Sequence, residues 1–290
     1  MNKLILTLVF SIICLSVNSK TVIHAGYVFN ADNGTVEPEI SIIIEDDRIS
    51  EVIEGYVDPD SDDVYIDLSA YYVLPGLIDM HVHLTNQSSN KAYIERITLN
   101  PADYAIRATK HAEATLFAGF TTVRNLGDSD SVTIALRNAI NSGIVLGPRI
   151  FTSGQTISST GGHGDSSNSL NMKLTSDLGP KDGVINGEQD ALKSVRYRYK
   201  ENADLIKITA TGGVLSNAKD GQNPQMTIKE ISAVVNAAKD YGFKVAAHAH
   251  GAEGIKRATI AGVDSIEHGT LMDNEGAALM SIFIIKFFIM

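Results

Sequence analysis

Leu74-Pro75-Gly76-Leu77-Ile78-Asp79-Met80-His81-Val82-His83 is the stretch on which the reading of the fold turns. An apolar run from Gly76 follows a proline and ends in two histidines two residues apart. Alternate residues of a strand share one face, so both imidazoles point to the same side, where neutral ring nitrogens can hold a divalent ion. The other outcome open to such a pair is a set of hydrogen-bonded core residues.

Downstream of Pro75, short apolar strands alternate with amphipathic stretches of ten to fifteen residues, the pattern of repeated βα units. Strands are expected at Gly76–His83, Thr121–Leu126, Arg149–Ser153, Leu205–Thr209, Lys244–His248 and Ser265–His268. Helices are expected at Pro101–Phe117, Val132–Asn141, Glu188–Glu201, Thr227–Asp240 and Ala252–Ala261, with Gly119, Gly242 and Gly262 as stops. Between Gln155 and Asn186 the chain is rich in Gly, Ser and Asn without periodicity, which in a compact domain indicates a functional loop. Upstream, from Thr21 to Leu74, short strands broken by Asn33-Gly34 and Pro59-Asp60 describe a small β-domain without helical period. The expected class is therefore α/β, a (β/α)8-type barrel carrying a small N-terminal β-domain.

The formal net charge of -10, with no Lys/Arg-rich run, provides no electrostatic footprint for nucleic acid or an anionic membrane surface. A small molecule or a dipeptide is the expected partner. Residues 1–19 read as a signal peptide: Lys3 supplies the positive start, Leu4 to Val17 the apolar stretch, and Val17-Asn18-Ser19 small residues for cleavage. The apolar stretch falls short of the ~20 residues a membrane span needs, so export to the periplasm or medium is expected. The single cysteine, Cys14, lies in that segment, which excludes disulfides and cysteine ligands from the mature chain.

Three further stretches carry chemistry: Thr160-Gly161-Gly162-His163-Gly164-Asp165, Ala247-His248-Ala249-His250-Gly251 and Ser265-Ile266-Glu267-His268-Gly269. In a fourth, Leu205-Ile206-Lys207-Ile208-Thr209, a lone lysine sits in an apolar strand, where an unpaired ammonium is costly to bury and needs a partner or a modification. His81, His83, Lys207, His248 and His268 all arrive at the carboxyl ends of strands, the active face of a βα barrel.

In order and spacing these stretches resemble the amidohydrolase superfamily from Thr21 to about Met280, and within it the imidazolonepropionase-like and prolidase-like group. The resemblance implies a hydrolase of carbon–nitrogen bonds, not an ester hydrolase, acting on dipeptides or N-acyl amino acids with two divalent ions, zinc being the expected metal. It further implies that His81 and His83 bind one ion, that His248 and His268 bind the second, and that a carbamate on Lys207 bridges them. His163 would orient the scissile carbonyl, and His250, further out than His248, would contact substrate. A loop histidine exposed to solvent is the plainer alternative for His163. His24 and His111 lie outside these stretches and receive no role.

The resemblance also implies a proton-transferring aspartate on an eighth strand. Six strands are expected here, and Pro75 to Ile282 is shorter than the ~250 residues of a closed barrel. The expected organisation is a signal peptide at 1–19, an incomplete β-sandwich-like domain at 20–74, six of eight βα units at 75–280 and an aberrant apolar tail at 281–290 of a C-terminally truncated product. The chain is then either a metal-dependent hydrolase or a non-catalytic product that retains metal or ligand binding.

Overall fold

The computed structural model describes residues 19–171, 173–214 and 220–288. The chain divides into two compact units, Met1–Pro75 and Gly76–Met290. The expected signal peptide, up to residue 18, and Cys14 lie outside the described residues. No helix among the described residues is long and apolar enough to cross a membrane.

Among the described residues the first unit is one four-stranded sheet. Its strands are β1 (Thr21–Asn30), β2 (Thr35–Glu45), β3 (Arg48–Glu54) and β4 (Val64–Val73), in the order β3-β2-β1-β4. β1 runs antiparallel to β2 and parallel to β4. Buried residues come from both faces, Val22 with Ile43 on one and Ala25 with Ile40 and Ile42 on the other, while Ile49, Val52, Tyr71 and Tyr72 remain exposed. His24 belongs to this unit: its ring nitrogens meet the Val57 carbonyl at 2.8 Å and the Tyr65 hydroxyl at 3.1 Å, which accounts for its burial.

The second unit begins with β5 (Leu77–Val82), α1 (Ala92–Thr98), α2 (Pro101–Phe117), β6 (Phe120–Asn125), α3 (Val132–Asn141) and β7 (Arg149–Thr152). Two short strands follow, β8 (Ser158–Ser159) and β9 (Val184–Ile185), and then α4 (Glu188–Lys200), β10 (Ile206–Thr209), α5 (Ile228–Asp240), β11 (Val245–Gly251), α6 (Ala252–Ala261), β12 (Ser265–Leu271), α7 (Asn274–Phe283) and β13 (Lys286–Phe288). β5-β6-β7 and β10-β11-β12-β13 form parallel sheets. Ile157 links onto β10: its N–H donates to the Lys207 carbonyl and its own carbonyl accepts from the Thr209 N–H.

Parity along the strands decides what faces the helices and what faces the interior. On β10, Ile206 and Ile208 join the core beneath α4, α5 and α6, which turns Lys207 and Thr209 the other way. On β11, Ala247 and Ala249 join the same core, so Ala246, His248 and His250 share the inner face. The helix ends follow local chemistry. Thr227 and Glu230 form a reciprocal capping box at the start of α5, and Gly262 stops α6 at φ 87°, a left-handed conformation that glycine adopts without steric cost.

Two parts of the sequence reading are corrected here. The segment between Gln155 and Asn186 is not wholly irregular, because β8 and β9 pair in parallel within it. The terminal run is not an aberrant tail over its described part: α7 continues to Phe283, the chain turns through Ile284 at φ 55°, and β13 pairs in parallel with β12. Its dense apolar character follows from that crossover, since Met280, Ile285 and Phe287 pack on the core that β12 and α6 also cover. Among the described residues seven strands, not six, thus carry the βα pattern from β5 onward, apart from the short pair β8 and β9.

Candidate metal centre

A cavity of about 840 Å³ opens at the carboxyl ends of these strands and is lined by His81, His83, His163, Lys207, His248, His250 and His268. All seven candidate residues therefore meet in one place, although 187 positions separate the first from the last (268 − 81). The His81 ring lies 5.3 Å from His83 and 4.9 Å from His268, measured between centroids. His248 is 4.3 Å from His163, 4.7 Å from His250 and 4.7 Å from His268. Ligand atoms of His248, His250 and His268 fall within 4.8 Å of one another, so the residues that the sequence reading divided between ion and substrate form one cluster. His111, by contrast, is tied to the Leu84 carbonyl on the outside of this group.

His268 reaches the cavity by a backbone irregularity. Ser265 and Glu267 occupy the inner face of β12, so alternation alone would send His268 outward with Ile266. Instead His268 adopts φ 74° and Gly269 φ 54°, and the register between β11 and β12 shifts there. Strained backbone of this kind costs about 1–3 kcal/mol and collects at functional sites.

The donor set fits divalent ions. His83 Nδ1 lies 3.1 Å from the Gly127 carbonyl, His248 Nε2 2.9 Å from the Gly212 carbonyl, and His250 Nδ1 2.7 Å from the Thr270 hydroxyl. Each ring thus spends one nitrogen on a hydrogen bond and keeps the other for a ligand, the arrangement that fixes tautomers in metal sites. Burial, followed by the Lys207 charge, pulls His83 and His163 down to about 4. Burial and the neighbouring His81 take His268 to about 3, and burial with His163 pushes His248 lower still. Neutral imidazoles are the form that binds metal.

Lys207 is buried, and its Nζ stands 3.5 Å from His81 Nε2. Burial of the ammonium moves its pKa from the usual lysine range to about 7, against the opposing pull of Glu267. The amine is therefore accessible in its neutral, nucleophilic form.

His163 sits on the glycine-rich loop, with its N–H held by the Gln225 side chain at 2.7 Å. Gly213 packs so closely against its ring that a Cβ there would collide with the imidazole. Gly213→Ala is accordingly expected to displace His163 from His248, raising KM or lowering kcat for the chain's reaction while the thermal melt stays near wild type. A crystal structure of the variant with an unmoved ring would contradict this.

Two contributors escaped the sequence reading. Glu267 is fully buried, with Oε2 3.3 Å from His81 Nδ1, and Arg124 donates to its other oxygen at 2.6 Å. Glu267 stands beside His268 in the quoted stretch, and its inward parity was the available signal. Arg124, a cation near the end of an expected strand, carried a weaker signal of the same kind, because a charge turned inward there needs a partner.

Known proteins share the fold and much of the sequence. A solved Xaa-Pro dipeptidase with methionine bound in its active site is 51% identical, with a TM-score of 0.89 over 93% of this chain and 66% of that one. A prolidase complexed with N-methylphosphonate-L-proline is 33% identical, with a TM-score of 0.84 over 93% of this chain and 65% of that one. Among curated proteins, ochratoxinase of Aspergillus niger is 29% identical over 220 residues, 72% of this chain and 45% of the relative. The chain thus spans less than half the length of that curated relative and about two thirds of the solved ones. The amidohydrolase family profile matches residues 72–286, most of the chain, and the protein belongs to the amidohydrolase family.

Proposed function

We propose that the protein is a metal-dependent hydrolase of amide bonds in dipeptides or N-acyl amino acids, and that two divalent ions, zinc by preference, occupy the cavity. The observation that carries this reading is the convergence of six histidines and one buried lysine on a single cavity. Family membership supports amide hydrolysis, and the Xaa-Pro dipeptidase and prolidase among the similar structures favour dipeptides as the substrate class.

His81 and His83 would hold one ion, and His248 and His268 the other. Lys207 would bridge them as a carbamate: its neutral amine adds to the carbon of carbon dioxide, a C–N bond forms, and one proton leaves to water. The product would carry a negative charge where the ammonium carried a positive one, and its oxygens would offer ligands to the ions. When bound, the ions supply a water of lowered pKa and an electrophile for the amide carbonyl. His163 would orient that carbonyl, and His250 would contact the substrate. The proton that reaches the leaving nitrogen would pass through the aspartate that the family resemblance implies.

The test is hydrolysis by the zinc-loaded chain of a panel containing Xaa-Pro dipeptides, N-acyl amino acids and a p-nitrophenyl ester. Amide cleavage that disappears on chelation and returns with zinc is expected. Chelator-resistant turnover, or turnover of the ester alone, would overturn the reading. We also propose export with cleavage near Lys20, which N-terminal sequencing of the mature protein would reveal; an intact Met1 in the cytosol would contradict it.

A further inference from the structure

We infer that Glu267, held in place by Arg124, is a positioning residue that sets the tautomer of His81 and turns its Nε2 toward the metal centre. The inference rests on the metal reading above.

Arg124 rises from β6 into the interior and ties three strands together. Its Nε donates to the Met80 carbonyl on β5 at 2.6 Å, Nη1 to the Ser265 hydroxyl at 3.3 Å and Nη2 to Glu267 Oε1 at 2.6 Å. The Phe288 ring of β13 covers the guanidinium at 4.8 Å. Ser265 also donates to Oε1, at 2.6 Å. One carboxylate oxygen therefore has two donors.

The other oxygen, Oε2, has no hydrogen-bond partner among the described residues, and neither has His81 Nδ1, although the two atoms lie 3.3 Å apart. A carboxylate buried only to pair with an arginine would satisfy both oxygens from that side, because an orphaned buried charge is strongly destabilising. A small rotation of either group closes the contact, with His81 donating from Nδ1. That donation leaves the lone pair on Nε2, the atom facing Lys207 at 3.5 Å. His83 receives the same service from the Gly127 carbonyl, but His81 alone receives it from a charge. A carboxylate raises the basicity of the imidazole it accepts from and fixes the ring's orientation, and losing such a partner typically weakens metal binding about 10–100-fold.

Glu267→Gln keeps the shape of the side chain. Its amide oxygen takes the donors from Arg124 and Ser265, so its NH2 faces His81 and demands an acceptor at Nδ1, the opposite tautomer. The expected result is zinc affinity lowered about 10–100-fold in chelator competition, with an unchanged circular dichroism spectrum. In the metal-free wild type, 15N NMR of the His81 ring should show the proton on Nδ1, and in the variant on Nε2. A folded Glu267→Gln protein with wild-type zinc affinity overturns the inference but not the metal reading. A wild-type chain that takes up no zinc overturns both. Should the variant fail to fold, the wild-type tautomer still decides: a proton on Nε2 refutes the role of Glu267.

Discussion

Lys207→Met is expected to abolish binding of the second ion and to reduce amide hydrolysis about 1000-fold, while leaving the metal-free protein at least as stable as wild type. The kinetic estimate follows from the several kcal/mol that a metal Lewis acid contributes to the transition state, each 1.36 kcal/mol being tenfold in rate. The stability estimate follows from burial. Lys207 lies in the interior with only a distant partner, and burial, opposed by Glu267 and reinforced by Arg124, pulls its pKa to about 7. Replacing such a group by an apolar one of similar length is often neutral or stabilising. Metal content per chain, turnover and a chelated thermal melt would be measured together. Undiminished two-ion content in the variant would remove Lys207 from the ligand set. A lowered melt without metal would instead make it a structural residue.

The second large effect concerns proton transfer. On the proposed mechanism, a form extended to carry the aspartate that the family resemblance implies should turn over at saturating zinc about 10²- to 10⁴-fold faster than these 290 residues, the range a general acid/base commands. The carboxylates that line the cavity among the described residues are Asp128, Asp130 and Asp165. Asp165 accepts from the Ser167 N–H and hydroxyl and from the Gly161 N–H, so both oxygens are engaged. Asp128 spends Oδ2 on Thr133, and burial raises its pKa. Its Oδ1 has no hydrogen-bond partner among the described residues. Equal turnover by the two forms, lost on Asp128→Asn, would pass the role of base to Asp128.

Much of the second unit was legible because its signals are local. A strand such as Leu205–Thr209 announces itself by apolar density, and a helix such as α5 by its period and its Thr227 cap. His81, His83, Lys207 and His248 could be placed at strand ends by counting alternate residues. His268 could not be oriented that way, because the positive φ that turns it inward reverses the parity of its strand. The terminal run misled for a related reason: ten residues of uniform hydrophobicity carry no period from which to divide a helix end from a buried strand. Glu267 and Arg124 could each be marked as a charge on a strand, but their pairing across 143 positions could not be read from either neighbourhood.

That span has a consequence for how the protein is assembled. Loop-closure entropy must be overcome before contacts this distant in sequence reward the chain, so they form late and slow folding. The candidate ligands come from β5, β10, β11 and β12; β11 and β12 by themselves gather three imidazoles within 4.8 Å, but His81 and His83 belong to the other arc. An ion held by the whole set therefore cannot act as a seed for the nascent polypeptide. It can only arrive after the two arcs of strands have met, which would make zinc capture, followed in time during refolding, a clock for the final event.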